Sequence, residues 1–336
     1  MLKAAITGPR QATVVESEDP RAMEDWALVK ITVAPMCTEY KGWMTGHGGD
    51  NLGHEAVGEV VEIAQPGRVN VGDRVVVQPQ YACGKCHLCL CGEYIHCEHQ
   101  IDAKTFLGTR NGTATMAQYV LKPSWLLSPI PDDISDEHAS LALCGLGPTF
   151  NACQLTRLEA ADTVLITGLG PVGLGGVVNA RFRNARVIAV DLIAWRRERA
   201  MEMGAFAAFS PDEDDLVPRI RALTTREGVD VAIDTSGATA AHKLCLDCLR
   251  RKGRFSLVQG FGESPVGLSH FVWSGHQLFG AWHYNLGDYP RIMEVVRRSE
   301  VIELLISHRF PMTRTQEAFA LQETGQCAKV LLNPWQ

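Results

Sequence analysis

No apolar run in the chain approaches the ~20 residues that a membrane-spanning helix requires, so a membrane role is not expected. No internal repeat or low-complexity tract is visible, which excludes repeat architectures. Positive charge is in short supply. Lys and Arg number 32 against 38 Asp and Glu, a net charge of -6 spread along the chain, which argues against nucleic acid as a main partner. The opening MLKAAITGPR has no secretory signal and runs straight into a polar segment, so the expected compartment is the cytoplasm, where thiols stay reduced. What remains is an ordinary globular composition, 46% hydrophobic and 21% charged over 336 residues, a length that suits two domains.

Cysteine, by contrast, is plentiful: there are eleven. Cys83, Cys86, Cys89 and Cys97 stand at gaps of two, two and seven residues. Four thiolates satisfy a closed tetrahedral structural zinc site, and a reducing compartment favours metal over disulfides. Cys91 lies inside this loop but off the spacing and reads as a spare thiol. Cys153, Cys245, Cys248 and Cys327 read as core or surface residues. Cys37, His54 and Cys144 form a second set, with the S and N donors and the count of three that a catalytic zinc needs beside an open position. Cys144 also reads as an ordinary buried cysteine.

The first half of the chain is β in character. The segments 27–33, 56–63 and 73–77 are rich in β-branched residues and punctuated by glycine and proline. From Asp136 to Gln154 the pattern turns helical. Beyond Asp162 the rhythm becomes strand, glycine turn, helix, strand, with short buried strands at 164–167, 187–190, 229–233 and 255–258 and helical stretches at 194–203 and 240–251. Such alternation predicts a parallel, doubly wound sheet. A further strand follows Gln277, then a helix at 289–299. The tail from Phe310 to Leu332 reads as strand, helix, strand, returning to the first domain.

Gly168-Leu-Gly170-Pro171-Val172-Gly173 follows a predicted strand and opens a predicted helix, with Asp191 at the end of the next strand. In that context the glycines make a tight turn, admit a pyrophosphate to the backbone and allow close helix–strand packing. Asp191 would accept from ribose hydroxyls and repel a 2′-phosphate, which favours NAD over NADP. Arg196 and Arg197 keep NADP open, although a solvated helix face also explains them.

Together these motifs resemble the zinc-dependent alcohol dehydrogenases of the medium-chain dehydrogenase/reductase family. Gly53-His54-Glu55-x-x-Gly58 is similar to the family's zinc signature, Gly72-Asp73-Arg74-Val75 to its following strand, and Gly325-Gln-Cys-Ala-Lys329-Val330 to its closing segment. The resemblance covers nearly the whole chain. It implies an α/β fold: a GroES-like, β-rich catalytic domain over 1–147 and 286–336, with a structural zinc lobe at about 80–100, interrupted by a Rossmann-fold NAD-binding domain over 148–285. The two separate ligand sets predict two zinc ions per chain, and the resemblance further implies Glu55 beside the catalytic one and Lys329 reaching the cofactor phosphates. The family pattern after the first ligand is Cys-x-Ser/Thr-Asp, where the hydroxyl relays the alcohol proton. Here the chain reads Cys37-Thr38-Glu39-Tyr40, so either Thr38 or Glu39 occupies the relay position. An alcohol would lose its proton at the open metal position and its hydride to the nicotinamide, and a ketone would follow the reverse path. The expected partner is a small alcohol or ketone, with a polyol, sugar or cyclic alcohol suggested by Trp43, Met44, Trp282, His283 and Tyr284. The expected assembly is a homodimer or homotetramer, formed along the edge strand at 277–282. Two rivals remain: a reductase of aldehydes or ketones with NADPH, and a non-enzymatic zinc-ribbon binding protein.

Overall fold

The computed structural model describes residues 1–260 and 264–336. The chain forms two compact units, Met1–Cys144 with Asn285–Arg297 and Ile306–Gln336, and Gly145–Tyr284 with Arg298–Leu305.

The first unit is built from β1 (Leu2–Gly8), β2 (Gln11–Glu16), β3 (Trp26–Pro35), β4 (Ala56–Glu62), β5 (Arg74–Val77), β6 (Tyr119–Pro123) and β7 (Leu127–Pro129). β1 and β2 form a separate antiparallel hairpin. β3 is the hub: it pairs antiparallel with β4, β6 and the last strand of the chain. Its valines and isoleucines explain this centrality, because Val29 and Ile31 are wholly buried together with Val60, Val75, Val77 and Val120. Burying a side chain of that size stabilises by about 1.5–3 kcal/mol.

The second unit contributes β8 (Thr163–Thr167), β9 (Arg186–Val190), β10 (Ala207–Phe209), β11 (Val229–Asp234), β12 (Leu249–Leu257) and β13 (Gln277–Gly280). All neighbours are parallel, in the order β10-β9-β8-β11-β12-β13. The order reverses between β8 and β11, which is the doubly wound pattern with its ligand crevice at the switch point. The chain closes with β14 (Ile306–Pro311), the helix Thr315–Thr324 and β15 (Lys329–Asn333), and β15 lies on β3 with Leu331 opposite Pro35.

Two predicted helices differ from those observed. The helical pattern over 136–154 is two helices, Asp136–Ser140 and Gly147–Leu155, because Gly145 and Gly147-Pro148 break it. The helix expected to run to Arg251 ends at Cys248, where β12 begins. The helix Leu268–Ser274 was not foreseen.

Candidate functional site

The cysteine lobe is the simpler of two clusters. The sulfurs of Cys83, Cys86, Cys89 and Cys97 lie within 4.8 Å of one another. Cys86 is 3.5 Å from Cys89 and 3.9 Å from Cys97, and Cys83 is 3.9 Å from Cys89. A tetrahedron of sulfurs at a Zn–S distance of about 2.3 Å has an edge of about 3.8 Å, so the four thiols already stand at zinc-site spacing. Backbone N–H groups of Lys85 and Cys86 donate to the Cys83 sulfur, and those of Cys83 and His99 to the Cys97 sulfur, which favours thiolates. All eleven cysteines are free thiols.

The second cluster joins distant parts of the first unit. Cys37 stands just beyond the end of β3, His54 on the turn that enters β4, and Cys144 after the helix Asp136–Ser140. Their donor atoms, with a Glu55 oxygen, lie within 4.8 Å of one another. The turn at Gly53 has φ +87°, and a Cβ there would meet Thr115 Oγ1 at 2.5 Å, so only glycine brings His54 into place. His54 Nε2 is 3.3 Å from the Cys144 sulfur. On the other side of the ring, Nδ1 is 2.9 Å from Glu39 Oε1, while Glu39 Oε2 accepts from the Cys37 N–H at 2.9 Å. This carboxylate fixes the ring so that Nε2 faces the thiols, the arrangement that orients a metal-binding imidazole. Burial works to lower His54, but hydrogen bonds to Cys37 and Glu39 outweigh it and lift the imidazole to about 11; a cation bound there would displace that proton. A hydrogen bond from Cys144 holds the Cys37 thiol well below its ordinary value.

Glu55 is fully buried, and both its oxygens are engaged: Oε1 lies 2.6 Å from Lys329 Nζ, and Oε2 accepts from the Cys144 N–H at 3.1 Å. Burial pushes its carboxyl up to about 7 in spite of Lys329. With Glu55 so committed, two thiols and one imidazole remain, the donor set of a catalytic zinc site with a position left for substrate. The ammonium of Lys329, which resemblance pointed toward cofactor phosphates, rests on Glu55. Neither the Glu39–His54 nor the Lys329–Glu55 contact was read from the sequence; the carboxylate two residues after Cys37 was the available signal for the first. Trp43 belongs to the core, stacked on Phe319 at 5.9 Å, rather than to an open wall.

In the second unit the glycine turn leaves β8 and opens the helix Pro171–Phe182. Gly168 has φ +79°, and a Cβ on Gly173 would sit 1.8 Å from the Gly168 carbonyl oxygen, whereas one on Gly170 would meet nothing within 4 Å. Gly170 is therefore where backbone lies open to a ligand at the start of the helix. Pro171 and Val172 form its first turn. Asp191 follows β9, and its carboxylate accepts from the N–H groups of Leu169 and Ile193 at 2.6 and 2.8 Å. It thus braces the glycine turn at the position where a ribose is expected. Arg197 donates to the carbonyls of Asp191 and Leu192.

The alcohol dehydrogenase GroES-like domain model matches residues 23–132, and the zinc-binding dehydrogenase model matches residues 171–298. A sorbitol dehydrogenase of Bacillus subtilis (strain 168) is 30% identical over 99% of this chain and 97% of its own length. An L-threonine 3-dehydrogenase of Shewanella sp. (strain W3-18-1) is 31% identical over 84% of this chain and 82% of its own. The solved alcohol dehydrogenase of Thermus sp. ATN1 superposes with a TM-score of 0.89 at 25% identity, covering 99% of both chains. The chain belongs to the zinc-dependent alcohol dehydrogenases of the medium-chain dehydrogenase/reductase family. It is an oxidoreductase that depends on zinc and a nicotinamide cofactor and acts on small molecules. That sets aside the zinc ribbon without enzymatic activity. Among the described residues no helix is long and apolar enough to cross a membrane.

Proposed function

We propose that the chain oxidises a secondary alcohol of a polyol, sugar or cyclic alcohol with NAD, and reduces the matching ketone in reverse. The observation that carries this reading is the triplet Cys37, His54 and Cys144 with Glu55 withdrawn from it by Lys329. Zinc held by that triplet, with Cys83, Cys86, Cys89 and Cys97 holding a second ion, supplies a Lewis acid that acidifies the alcohol or polarises the ketone. The chain's own groups do the rest. Glu39 keeps the His54 ring in line, and the Lys329–Glu55 pair places a compensated charge behind the site. Thr38 relays the alcohol proton, its hydroxyl accepting from the alcohol while donating its own proton onward to solvent: Glu39 is occupied by His54 and Cys37, whereas the Thr38 hydroxyl has no hydrogen bond among the described residues. Gly168, Gly170, Pro171, Val172 and Gly173 bind the cofactor pyrophosphate, and Asp191 selects NAD.

The test is a panel of secondary alcohols and polyols offered with NAD and with NADP, following the absorbance of the reduced nicotinamide. Turnover with NAD and a clear preference for it are expected. No turnover of any alcohol would overturn the function, and equal use of NADP would overturn the role of Asp191, which Asp191→Gly should weaken for NAD while relieving repulsion of NADP.

We also propose a cytoplasmic homodimer or homotetramer. The free thiols fit a reducing compartment. β13 ends its sheet with Leu278 49% exposed, and the helix that precedes it in the chain exposes Leu268, Val272 and Trp273 by 87, 75 and 78%. An apolar edge of that kind needs a cover, and a twofold copy is the commonest one. Light scattering is expected to give a multiple of the chain mass that Leu278→Lys reduces; a monomeric mass for the unmodified chain would exclude the pairing.

A further inference from the structure

Beside His54 the first unit carries polar groups that hydride transfer does not require. A cavity of about 550 Å³ is lined there by His54, Thr115, Lys122, Arg110, Lys104 and Asp102, among others. Small-molecule sites span roughly 300–1,000 Å³, so there is room for one substrate.

Lys122 is the unusual member. It is 3% exposed, its ammonium donates to the Gln80 carbonyl and lies 4.0 Å over the Tyr81 ring, and among the described residues no carboxylate pairs with it. Burial pushes it down to about 7. A buried ammonium without a counter-charge is costly, and a ligand that brings the missing negative charge offsets that cost. Thr115 presents a second unmet need, a buried hydroxyl with no hydrogen-bond partner among the described residues. Arg110 and Lys104 add positive charge at the exposed rim. The only acidic residue on the wall, among the described ones, is Asp102, and its carboxylate already accepts from the Lys104 N–H and the Thr105 hydroxyl.

We propose that this cavity is an anion subsite, and that the alcohol substrate carries a carboxylate or phosphate held by Lys122, Thr115 and Arg110. The substrate class is thus a hydroxy acid or a phosphorylated polyol rather than a neutral polyol. The assignment rests on the alcohol dehydrogenase function proposed above, because it takes the wall beside His54 as part of the substrate site.

Three compounds on one carbon skeleton test it: D-sorbitol, sorbitol 6-phosphate and D-gluconate. With NAD, at least one charged member is expected to exceed sorbitol at least tenfold in kcat/KM, through KM, and which one does so tells phosphate from carboxylate. Lys122→Met should shrink that advantage to within threefold, and Arg110→Ala should shrink it less. A neutral polyol used as well as both charged ones, or an advantage untouched by Lys122→Met, would overturn the subsite. Calorimetry separates this outcome from failure of the function itself. If no alcohol is turned over, gluconate or inorganic phosphate should still bind the unmodified chain at least tenfold more tightly than the Lys122→Met variant, and equal or absent binding would overturn the subsite.

Discussion

The two thiol clusters of the first unit solve different problems with overlapping chemistry. The lobe at Cys83–Cys97 is local: all four sulfurs come from one short loop, they are supported by backbone N–H groups, and no charged side chain is needed to hold them. The cluster at Cys37, His54 and Cys144 draws on segments far apart in the chain, and every donor in it is braced by another side chain. Glu39 holds the imidazole and Lys329 holds Glu55. A site that only has to close can be encoded locally, whereas one that must keep a position open needs outside groups to keep a fourth donor away.

The most damaging way to probe that contrast is Cys89→Ser. Metal binding at closed sites is coupled to folding, with apparent energies on the order of 10 kcal/mol in small zinc domains. The variant should lose one of two zinc ions per chain by metal analysis and show protease sensitivity confined to the lobe; retention of both ions would break the division. Cys37→Ser should leave the melting temperature nearly unchanged while turnover falls by roughly 10³-fold, the loss of about 4 kcal/mol of Lewis-acid assistance. If Cys37→Ser and Cys89→Ser behaved alike, the two clusters would not differ in kind.

Lys329→Met probes the bracing. It leaves Glu55 buried without its cation, and breaking such a pair costs about 3–5 kcal/mol. Denaturant unfolding should register that loss, and Glu55→Gln in the same chain should restore most of it. Glu39→Gln should be the mildest change. The ring loses its charged partner, and zinc affinity at this cluster should fall about 10- to 100-fold by competition with a chelator, with the cysteine lobe keeping its ion.

How much of this was legible in the sequence follows the same line between local and distant. The cysteine lobe and the glycine turn could be read from spacing because their partners lie within a loop of one another. Cys37, His54 and Cys144 could be grouped only by donor type and count, since no periodicity links positions so far apart. The Glu55–Lys329 pair, separated by 274 residues, has no local signal at all. The helix expected over 240–251 overran for a related reason. Cys245, Cys248 and Leu249 continue an apolar spacing, but Leu249 already pairs with Val229 as the first residue of β12. Sheet pairing overrode local propensity there. The Lys122 ammonium, buried with no carboxylate paired to it among the described residues, was equally invisible, because burial on a strand facing a cavity is a property of the fold.

Synthesis of the chain gives the late position of Lys329 a temporal meaning. At about 5–20 residues per second, the ribosome makes the whole cysteine lobe within a few seconds, and Cys97 follows Cys83 by only 14 residues. Lys329 follows Glu55 by 274 residues, an interval of roughly 15–55 seconds. During it the nascent chain holds Glu55 with no cation opposite and β3 with no β15 beside it. The lobe is therefore free to load the zinc proposed for it co-translationally, while the open site can reach its finished form only after β15 has left the ribosome. A chain stalled before that strand would carry a completed cysteine lobe and a second site still without its counter-charge.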